Sequence, residues 1–164
     1  MNEFVYVGKI VNTHGIKGEI RILSNFEQKD KVFIPDNNLF LGEMYKPFKI
    51  ITYRHHKEYE MVTLEGINDI NQAILLKGIK VYFKRDDLHL LNDDYILEDL
   101  DNCEVIEDDK VLGKIKEIIY NNNNILLKVT GLKDFYIPYN GPYIIKVDKE
   151  NKIVYTKNAK DLII

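Results

Sequence analysis

The sequence contains no tryptophan and only one cysteine, Cys103. A single cysteine excludes an internal disulfide and any metal site built from several thiolates, and it is typical of a reducing compartment. No apolar run approaches the roughly 18 residues that a membrane-spanning helix needs. The first residues also lack the basic segment followed by an apolar one that marks a secretory signal. We therefore expect a cytoplasmic protein that makes no membrane contact.

Glycine-rich nucleotide motifs are absent as well. A phosphate-binding loop ends in Gly-Lys-Ser or Gly-Lys-Thr before a helix, and a dinucleotide site needs three glycines after a strand. The segment 15–18, Gly-Ile-Lys-Gly, leads into a predicted strand, so no helix N-terminus gathers amides around an anion. Cys103 begins an apolar strand, where a small buried hydrophobe is its usual role. We expect no nucleotide, metal or other cofactor, and no catalysis.

Charge is distributed unevenly along the chain. Residues 1–85 contain 13 Lys and Arg against 10 Asp and Glu, whereas residues 86–164 contain 10 against 16. Eleven of those acidic residues lie between positions 86 and 109, without one Lys or Arg. The asymmetry indicates that the first half can meet a polyanion and the second a basic protein, although an acidic run can equally be a solvated surface.

The first half is predicted to be mainly β. Its candidate strands are rich in β-branched and aromatic residues and are bounded by turn formers; they are Phe4–Val11, Glu19–Ile22, Leu39–Leu41, Phe48–Tyr53, Glu60–Leu64 and Ile79–Phe83. One short helix interrupts them. Asp69 is its predicted N-cap, Gln72 completes the capping pair, and Gly78 ends it. The pattern favours a helix that closes a barrel over a repeating βαβ unit.

The second half repeats short strands at close intervals, which is typical of a small barrel or sandwich. The predicted strands are Cys103–Ile106, Val111–Ile119, Ile125–Val129, Phe135–Pro138, Tyr143–Val147 and Lys152–Thr156. A turn is predicted at the Asn121–Asn124 run, and Tyr143, Ile145 and Val147 are expected on one face. The whole chain is thus predicted to be mainly β, with two small β-barrel domains, 1–85 and 99–164, joined by an acidic linker, 86–98.

Aromatic and basic residues are neighbours in two segments, 53–57 (Tyr-Arg-His-His-Lys) and 82–85 (Tyr-Phe-Lys-Arg). Such pairs suit RNA, because bases stack on rings while cations meet phosphates. The alternative is that the rings are strand core and the cations protect sheet edges. The adjacent His55 and His56 point to opposite faces of a strand, so we do not expect them to chelate a metal together.

The opening segment 7–22, Val-Gly-Lys-Ile-Val-Asn-Thr-His-Gly-Ile-Lys-Gly-Glu-Ile-Arg-Ile, closely resembles the start of the RimM family of ribosome maturation factors. The resemblance continues through residues 64–73 and 76–78. In the second half, Asp99-Leu100, residues 112–115, Tyr136-Ile137-Pro138 and Val147-Asp148 resemble the PRC-barrel domain that follows in that family. Nearly the whole chain is covered by the resemblance.

The resemblance implies a factor, without a cofactor, that binds the free small ribosomal subunit; we expect it to be a monomer, although the sequence leaves the oligomeric state open. It implies contacts with small-subunit ribosomal protein nineteen and with head-region 16S rRNA, and a role in late maturation. The family's interdomain segment carries two tyrosines and a tryptophan that bind the subunit. Tyr95, Ile96 and Leu97 stand at those positions, so they are the predicted partner-binding residues. Ile96 and Leu97 could instead pack between the domains.

The opening motif also has a physical interpretation of its own. Gly15 and Gly18 permit a positive φ or close backbone approach, and Lys17 and Arg21 can face phosphate. The predicted RNA-binding residues are Lys17, Arg21, Arg54 and Lys57. His14 is predicted either to cap the turn by hydrogen bonding or to contact RNA directly. Two other functions stay open: a protein-interaction adaptor without RNA contact, and an RNA-processing enzyme.

Overall fold

The structure, a computed structural model, describes residues 3–121 and 124–164. It divides into two compact units, Met1–His89 and Leu90–Ile164. The division lies within the predicted linker 86–98, and buried side chains occur on both sides of it: Leu88 is buried before the division, and Leu97 belongs to the core of the second unit. The three-segment division with bounds at 85 and 98 stays a prediction.

The first unit is built on six antiparallel strands. They are β1 (Phe4–His14), β2 (Glu19–Leu23), β3 (Asn38–Leu41), β4 (Lys46–His56), β5 (Tyr59–Leu64) and β6 (Lys80–Lys84). They pair in the closed order β1-β2-β5-β4-β3-β6, and β6 pairs with β1 as well as with β3. Alternate side chains therefore point to a common interior, where Val5, Ile10, Ile22, Ile50 and Phe83 are buried.

Two short helices belong to this unit: α1 (Lys29–Val32) and α2 (Ile70–Ala73), which continues as a 3₁₀ turn at Ile74–Leu76. The predicted capping of α2 is confirmed, because the Asp69 carboxylate accepts a 2.9 Å hydrogen bond from the Gln72 amide. The Gln72 side chain in turn accepts one of 2.7 Å from the Asn68 amide. Within α2 only Ala73 is buried, so one small side chain anchors the helix. Helix α1 was not predicted from the sequence.

The second unit contains six more strands: β7 (Glu104–Glu107), β8 (Lys110–Asn121), β9 (Asn124–Thr130), β10 (Phe135–Pro138), β11 (Ile144–Asp148) and β12 (Ile153–Thr156). The predicted turn at Asn121–Asn124 joins β8 to β9, but its central residues, 122 and 123, lie outside the described part of the chain. Cys103 is fully buried in the core of this unit, as predicted, and burial raises the pKa of its thiol.

The mainly β prediction and the two-sheet organisation are confirmed, but the second sheet differs from the prediction. Its order is β10-β9-β8-β7-β12-β11, and among the described residues β10 and β11 do not pair with each other. The sheet is therefore open at these two strands and forms a half-barrel, where the prediction was a closed one. β12 also pairs parallel to β7, whereas its other neighbour, β11, is antiparallel. A bulge between Ile144 and Lys146 leaves Ile145 exposed, so Tyr143, Ile145 and Val147 do not share one environment.

Within the described ranges, none of the helices has the length and apolar character to cross a membrane.

Candidate nucleic-acid interface

Basic side chains from β1, β2, β4 and the β4–β5 turn come together around Arg21 and His56. We call His14, Arg21, Arg54, His56 and Lys57 the cationic corner. In the sheet register His14 pairs with Glu19 and His56 with Tyr59, and β2 and β4 both pair with β5. The strand order therefore joins residues that are more than thirty positions apart in the sequence.

Arg21 lies in the middle of this corner. Its Nη2 donates a 2.9 Å hydrogen bond to Nδ1 of His14. The guanidinium carbon lies 5.6 Å from the ring centroid of Tyr59, within range of a cation–π contact. Nε of Arg21 is buried and has no hydrogen-bond partner within the part of the chain that the structure describes. Packing and one side-chain bond thus hold the guanidinium in place.

Arg54 is held by an acidic residue. Its Nε and Nη2 donate hydrogen bonds of 2.9 and 2.8 Å to the two carboxylate oxygens of Glu19. This bidentate bond keeps the pKa of Glu19 below its usual value, with the charges of Arg54, His14 and His56 adding to the effect. Glu19 therefore compensates part of the positive charge that the predicted RNA site would offer.

The pKa of His56 reflects the positive charge of the corner. Its pKa is lowered, first by loss of solvation and then by the charges of Arg54, Lys57, His14 and Arg21. Lys57 is exposed in the β4–β5 turn, where its φ is 55°. Four of the sequence-selected residues, His14, Arg21, Arg54 and Lys57, therefore act on one imidazole. Lys17 is exposed in the β1–β2 loop, and among the described contacts it has none with the corner.

The β1–β2 loop is shaped by its two glycines. Gly15 and Gly18 have φ values of 77° and 85°, in the left-handed region that favours glycine. A Cβ on Gly18 would lie 2.7 Å from the carbonyl oxygen of Asp69, so the loop packs backbone to backbone against the start of α2. The Ile70 amide also donates a 3.0 Å hydrogen bond to the Ile16 carbonyl. These contacts fix the loop that follows His14 and carries Lys17.

The predicted partner-binding residues lie at the start of the second unit. Ile96 and Leu97 are 2% and 6% exposed, and Tyr95 is partly buried against the core that includes Leu97. The Ile96 amide donates a 3.0 Å hydrogen bond to the Asp99 carboxylate. Either side chain would have to leave its buried position before it could contact a partner. Partner binding by this segment therefore stays a prediction.

Part of the acidic run is also used inside the second unit. Glu107 is 4% exposed and accepts hydrogen bonds from the Thr156 hydroxyl (3.0 Å) and the Ala159 amide (2.8 Å). Asp108 forms an exposed ion pair of 3.3 Å with Lys160. The acidic side chains exposed in the run are Asp86, Asp87, Asp93, Asp94, Glu98, Asp101, Asp108 and Asp109.

Sequence reasoning missed the polar cluster around Glu60, which is 1% exposed. The Tyr53 hydroxyl donates a 2.7 Å hydrogen bond to this carboxylate, and Nδ1 of His55 lies 3.0 Å from it. Burial and the bond to Glu60 raise the pKa of Tyr53 to about 12. The inward position of Glu60 beside Met61 and Val62 could have signalled the cluster, because a charged residue there needs partners.

Across residues 3–121 and 124–164, no three His, Cys, Asp or Glu side chains form a group that could hold a metal ion.

Comparison with known proteins covers both units. Residues 5–88 match the family model for the RimM N-terminal domain, and residues 97–162 match that for the RimM PRC barrel domain. Two relatives named ribosome maturation factor RimM are similar over most of their length. The protein from Bacillus mycoides is 34% identical, covering 94% of this chain and 95% of its own; that from Staphylococcus aureus is 37% identical, covering 90% and 92%.

Two solved RimM structures also match. A crystal structure from Pseudomonas aeruginosa is 20% identical with a TM-score of 0.45, covering 96% of this chain and 99% of its own. A solution structure of the N-terminal domain from Thermus thermophilus is 24% identical with a TM-score of 0.45, covering 53% and 95%. On the two domain matches and the full-length relatives, the chain belongs to the RimM family of ribosome maturation factors, which is not an enzyme family.

Proposed function

We propose that this protein is an assembly factor that binds the free small ribosomal subunit and promotes late maturation and 16S rRNA processing. Head-region 16S rRNA and small-subunit ribosomal protein nineteen are its proposed contacts. The observation that carries the proposal is the convergence of Arg21, Arg54 and Lys57 on one corner of the first unit, in a chain whose relatives are ribosome maturation factors. The proposal includes a cytoplasmic monomer with a barrel-like first domain, without a cofactor or catalysis.

The cationic corner supports the RNA contact by its chemistry. A guanidinium that is already held on a strand loses little side-chain freedom when it meets a phosphate, and an exposed ammonium in a tight turn can reach a neighbouring phosphate. Arg21 is already oriented by His14 and Tyr59. Because Arg54 is paired with Glu19, we expect Arg21 and Lys57, together with the exposed Lys17 of the β1–β2 loop, to contribute more of the phosphate binding than Arg54 does.

The acidic side chains of 86–109 support the protein contact. Ribosomal proteins that bind rRNA are basic, and the exposed carboxylates present the complementary charge. Glu107 is excluded from this surface because it is buried. In this mechanism one basic and one acidic surface hold rRNA and a ribosomal protein together until the subunit matures. Charge complementarity speeds the encounter and keeps the complex salt-sensitive and reversible.

Gradient sedimentation of a cell lysate tests the proposal with the full chain. We expect the protein to comigrate with free small subunits and not with intact ribosomes. A Lys17→Glu, Lys57→Glu variant should shift to the top of the gradient, whereas the control Lys146→Glu, an exposed lysine of β11, should not. Absence of the unmodified protein from small-subunit fractions would contradict the proposal.

The adaptor alternative is supported by the acidic surface alone, and the same gradients separate it from RNA binding. If the charge-reversed variant still comigrated with small subunits, while purified protein bound a basic ribosomal protein without any affinity for 16S rRNA, the adaptor would be the better description. Incubation of the purified protein with precursor 16S rRNA tests the enzymatic alternative. We expect no cleavage; metal-dependent cleavage would contradict the absence of catalysis.

A further inference from the structure

A cluster of aromatic rings lies on the outer surface of the first sheet, and we call it the aromatic face. Its members come from three neighbouring strands and the β3–β4 turn; they are Phe4, Tyr6, Phe40, Tyr45 and Tyr82. The residues between them along the strands, such as Val5, Leu39 and Phe83, are buried. Since side chains alternate along a strand, the rings of the aromatic face point away from the core.

The rings form one continuous layer. Phe4 stacks on Tyr45 with centroids 4.2 Å apart and planes 8° from parallel, and Phe4 also lies 4.9 Å from Phe40. Tyr82 lies 4.9 Å from Tyr45 and 5.9 Å from Tyr6, edge to face in both cases. Mutual packing holds the rings at fixed angles, so the surface that they present is preorganised.

The aromatic face is only partly covered. Tyr6 is 45% exposed, Tyr45 is 38% exposed and the adjacent Met44 is 91% exposed. Tyr45 keeps its ring in the cluster with φ at 50°, a backbone conformation that L-residues with bulky side chains disfavour. A contiguous exposed apolar area of this kind is typical of a binding surface and not of an ordinary solvated sheet.

The charge around the aromatic face has one dominant sign. Strands β1, β3 and β6 contain three lysines and no Asp or Glu; the lysines are Lys9, Lys80 and Lys84. Lys80, Tyr82 and Lys84 alternate along the outer side of β6, while Lys9 pairs with Lys80 and Phe4 with Lys84 across to β1. The rings are thus bracketed by ammonium groups. Nearby carboxylates in the sequence are Glu3, which lies 3.8 Å from Lys84 in an exposed pair, Glu43 in the β3–β4 turn, and Asp86 and Asp87, which follow β6 and the basic Arg85.

Aromatic rings between cations match a ligand that combines flat apolar groups with regularly spaced negative charge. Unpaired nucleic acid has that chemistry: its bases stack on rings, and its phosphates pair with lysines. A duplex hides its bases, and an apolar protein surface would gain nothing from the lysines.

We propose that the aromatic face binds unpaired RNA by base stacking, with phosphates held by Lys9, Lys80 and Lys84. This contact is additional to the cationic corner and rests on the proposed function in so far as the RNA is ribosomal. Tyr6 and Tyr82 offer the stacking surface nearest to the lysines of β6.

Fluorescence anisotropy with a labelled 12-nucleotide oligouridylate tests the proposal on the full chain. The informative pair is Tyr6→Leu, which removes the ring but keeps apolar area, and Tyr6→Phe, which keeps the ring. We expect the first to weaken binding roughly tenfold and the second to leave it near wild type. Tyr136→Leu is the matched control, because Tyr136 is 46% exposed on the second sheet. A stable RNA hairpin of similar length should bind more weakly than oligouridylate.

Equal binding by Tyr6→Leu and the wild type would overturn the proposal, and so would equal losses in Tyr6→Leu and Tyr6→Phe. Should Tyr6→Leu melt early, Lys80→Gln, Lys84→Gln tests the same face, with a several-fold loss expected and no loss overturning it. A Tyr6→Leu protein that binds oligouridylate normally but loses a basic ribosomal protein would assign the face to protein. Sedimentation distinguishes this proposal from the proposed function. If RNA binding depends on Tyr6 but the protein does not comigrate with small subunits, the aromatic face binds RNA and the small subunit is not its target.

Discussion

The cationic corner of the first unit and the acidic run of the second use their charges differently. In the corner, Arg21 and Lys57 project from a framework whose stability comes from the apolar interior. In the acidic run, Glu107 is buried and bonded to Thr156 and Ala159, so one of the charges is part of the framework. Neutralising charges in the corner should therefore alter binding, whereas neutralising every charge of the acidic run would also destabilise the second unit.

Replacing Glu107 should have the largest effect. Glu107→Ala leaves the Thr156 hydroxyl and the Ala159 amide unpaired in a buried site, and we expect a loss of about 3 kcal/mol in the free energy of unfolding. Denaturant unfolding followed by circular dichroism measures it. The matched control is Asp108→Asn, which removes an exposed ion pair and should cost less than about 0.5 kcal/mol. Equal effects at the two positions would contradict the structural role of Glu107.

Neutralising the exposed side chains of Lys17 and Lys57 should act on binding alone. In the variant Lys17→Gln, Lys57→Asn the asparagine tolerates the positive φ of position 57, so the fold should keep its stability. Filter binding to a 16S rRNA transcript between 50 and 200 mM salt should show several-fold weaker binding, with the salt slope reduced by about 1 for each lysine that meets a phosphate. If the salt dependence of binding were unchanged, neither lysine would contact an RNA phosphate.

Removing Glu19 tests whether the corner is partly compensated. Glu19→Gln releases Arg54 from a bidentate carboxylate, so affinity for the 16S rRNA transcript should rise about two- to fivefold at low salt. The free energy of unfolding should change by less than about 1 kcal/mol, because Arg54 is half exposed. Lower RNA affinity in this variant would mean that Glu19 orients Arg54 for binding and does not compete with RNA.

The smallest expected effect is a pH dependence at His56. Because its folded pKa lies below the ordinary value, folding favours the neutral ring; the linked stability is complete above about pH 6.5 and declines as the pH falls below it. Bound phosphates would reverse this preference and raise the pKa of His56. Titration of its ring protons by NMR, with and without 16S rRNA, measures both values, and His56→Gln identifies the signal. An unchanged pKa on RNA binding would place the phosphates away from the corner.

Most of the secondary structure could be predicted from the sequence, since all twelve predicted strands have counterparts. Phe135–Pro138 matches in both bounds, and Leu39–Leu41 differs by one residue. Capping chemistry located α2 because Asp69 and Gln72 are local partners. Helix α1 carries no side-chain cap and buries only Val32, so it left no comparable signal. The bulge at Ile145 escaped prediction because a register shift depends on the paired strand.

The sequence by itself determined the mainly β architecture, the buried role of Cys103 and the family resemblance that the domain matches confirm. Those properties depend on local alternation, turn chemistry and motifs that are continuous along the chain. Only the tertiary structure decided that the second sheet is open, that Glu60 and Glu107 are buried, and that Arg21, Arg54 and Lys57 share one corner. The physical reason is that strand order and register set which distant side chains meet, and therefore which charges are neutralised and which stay available to a partner.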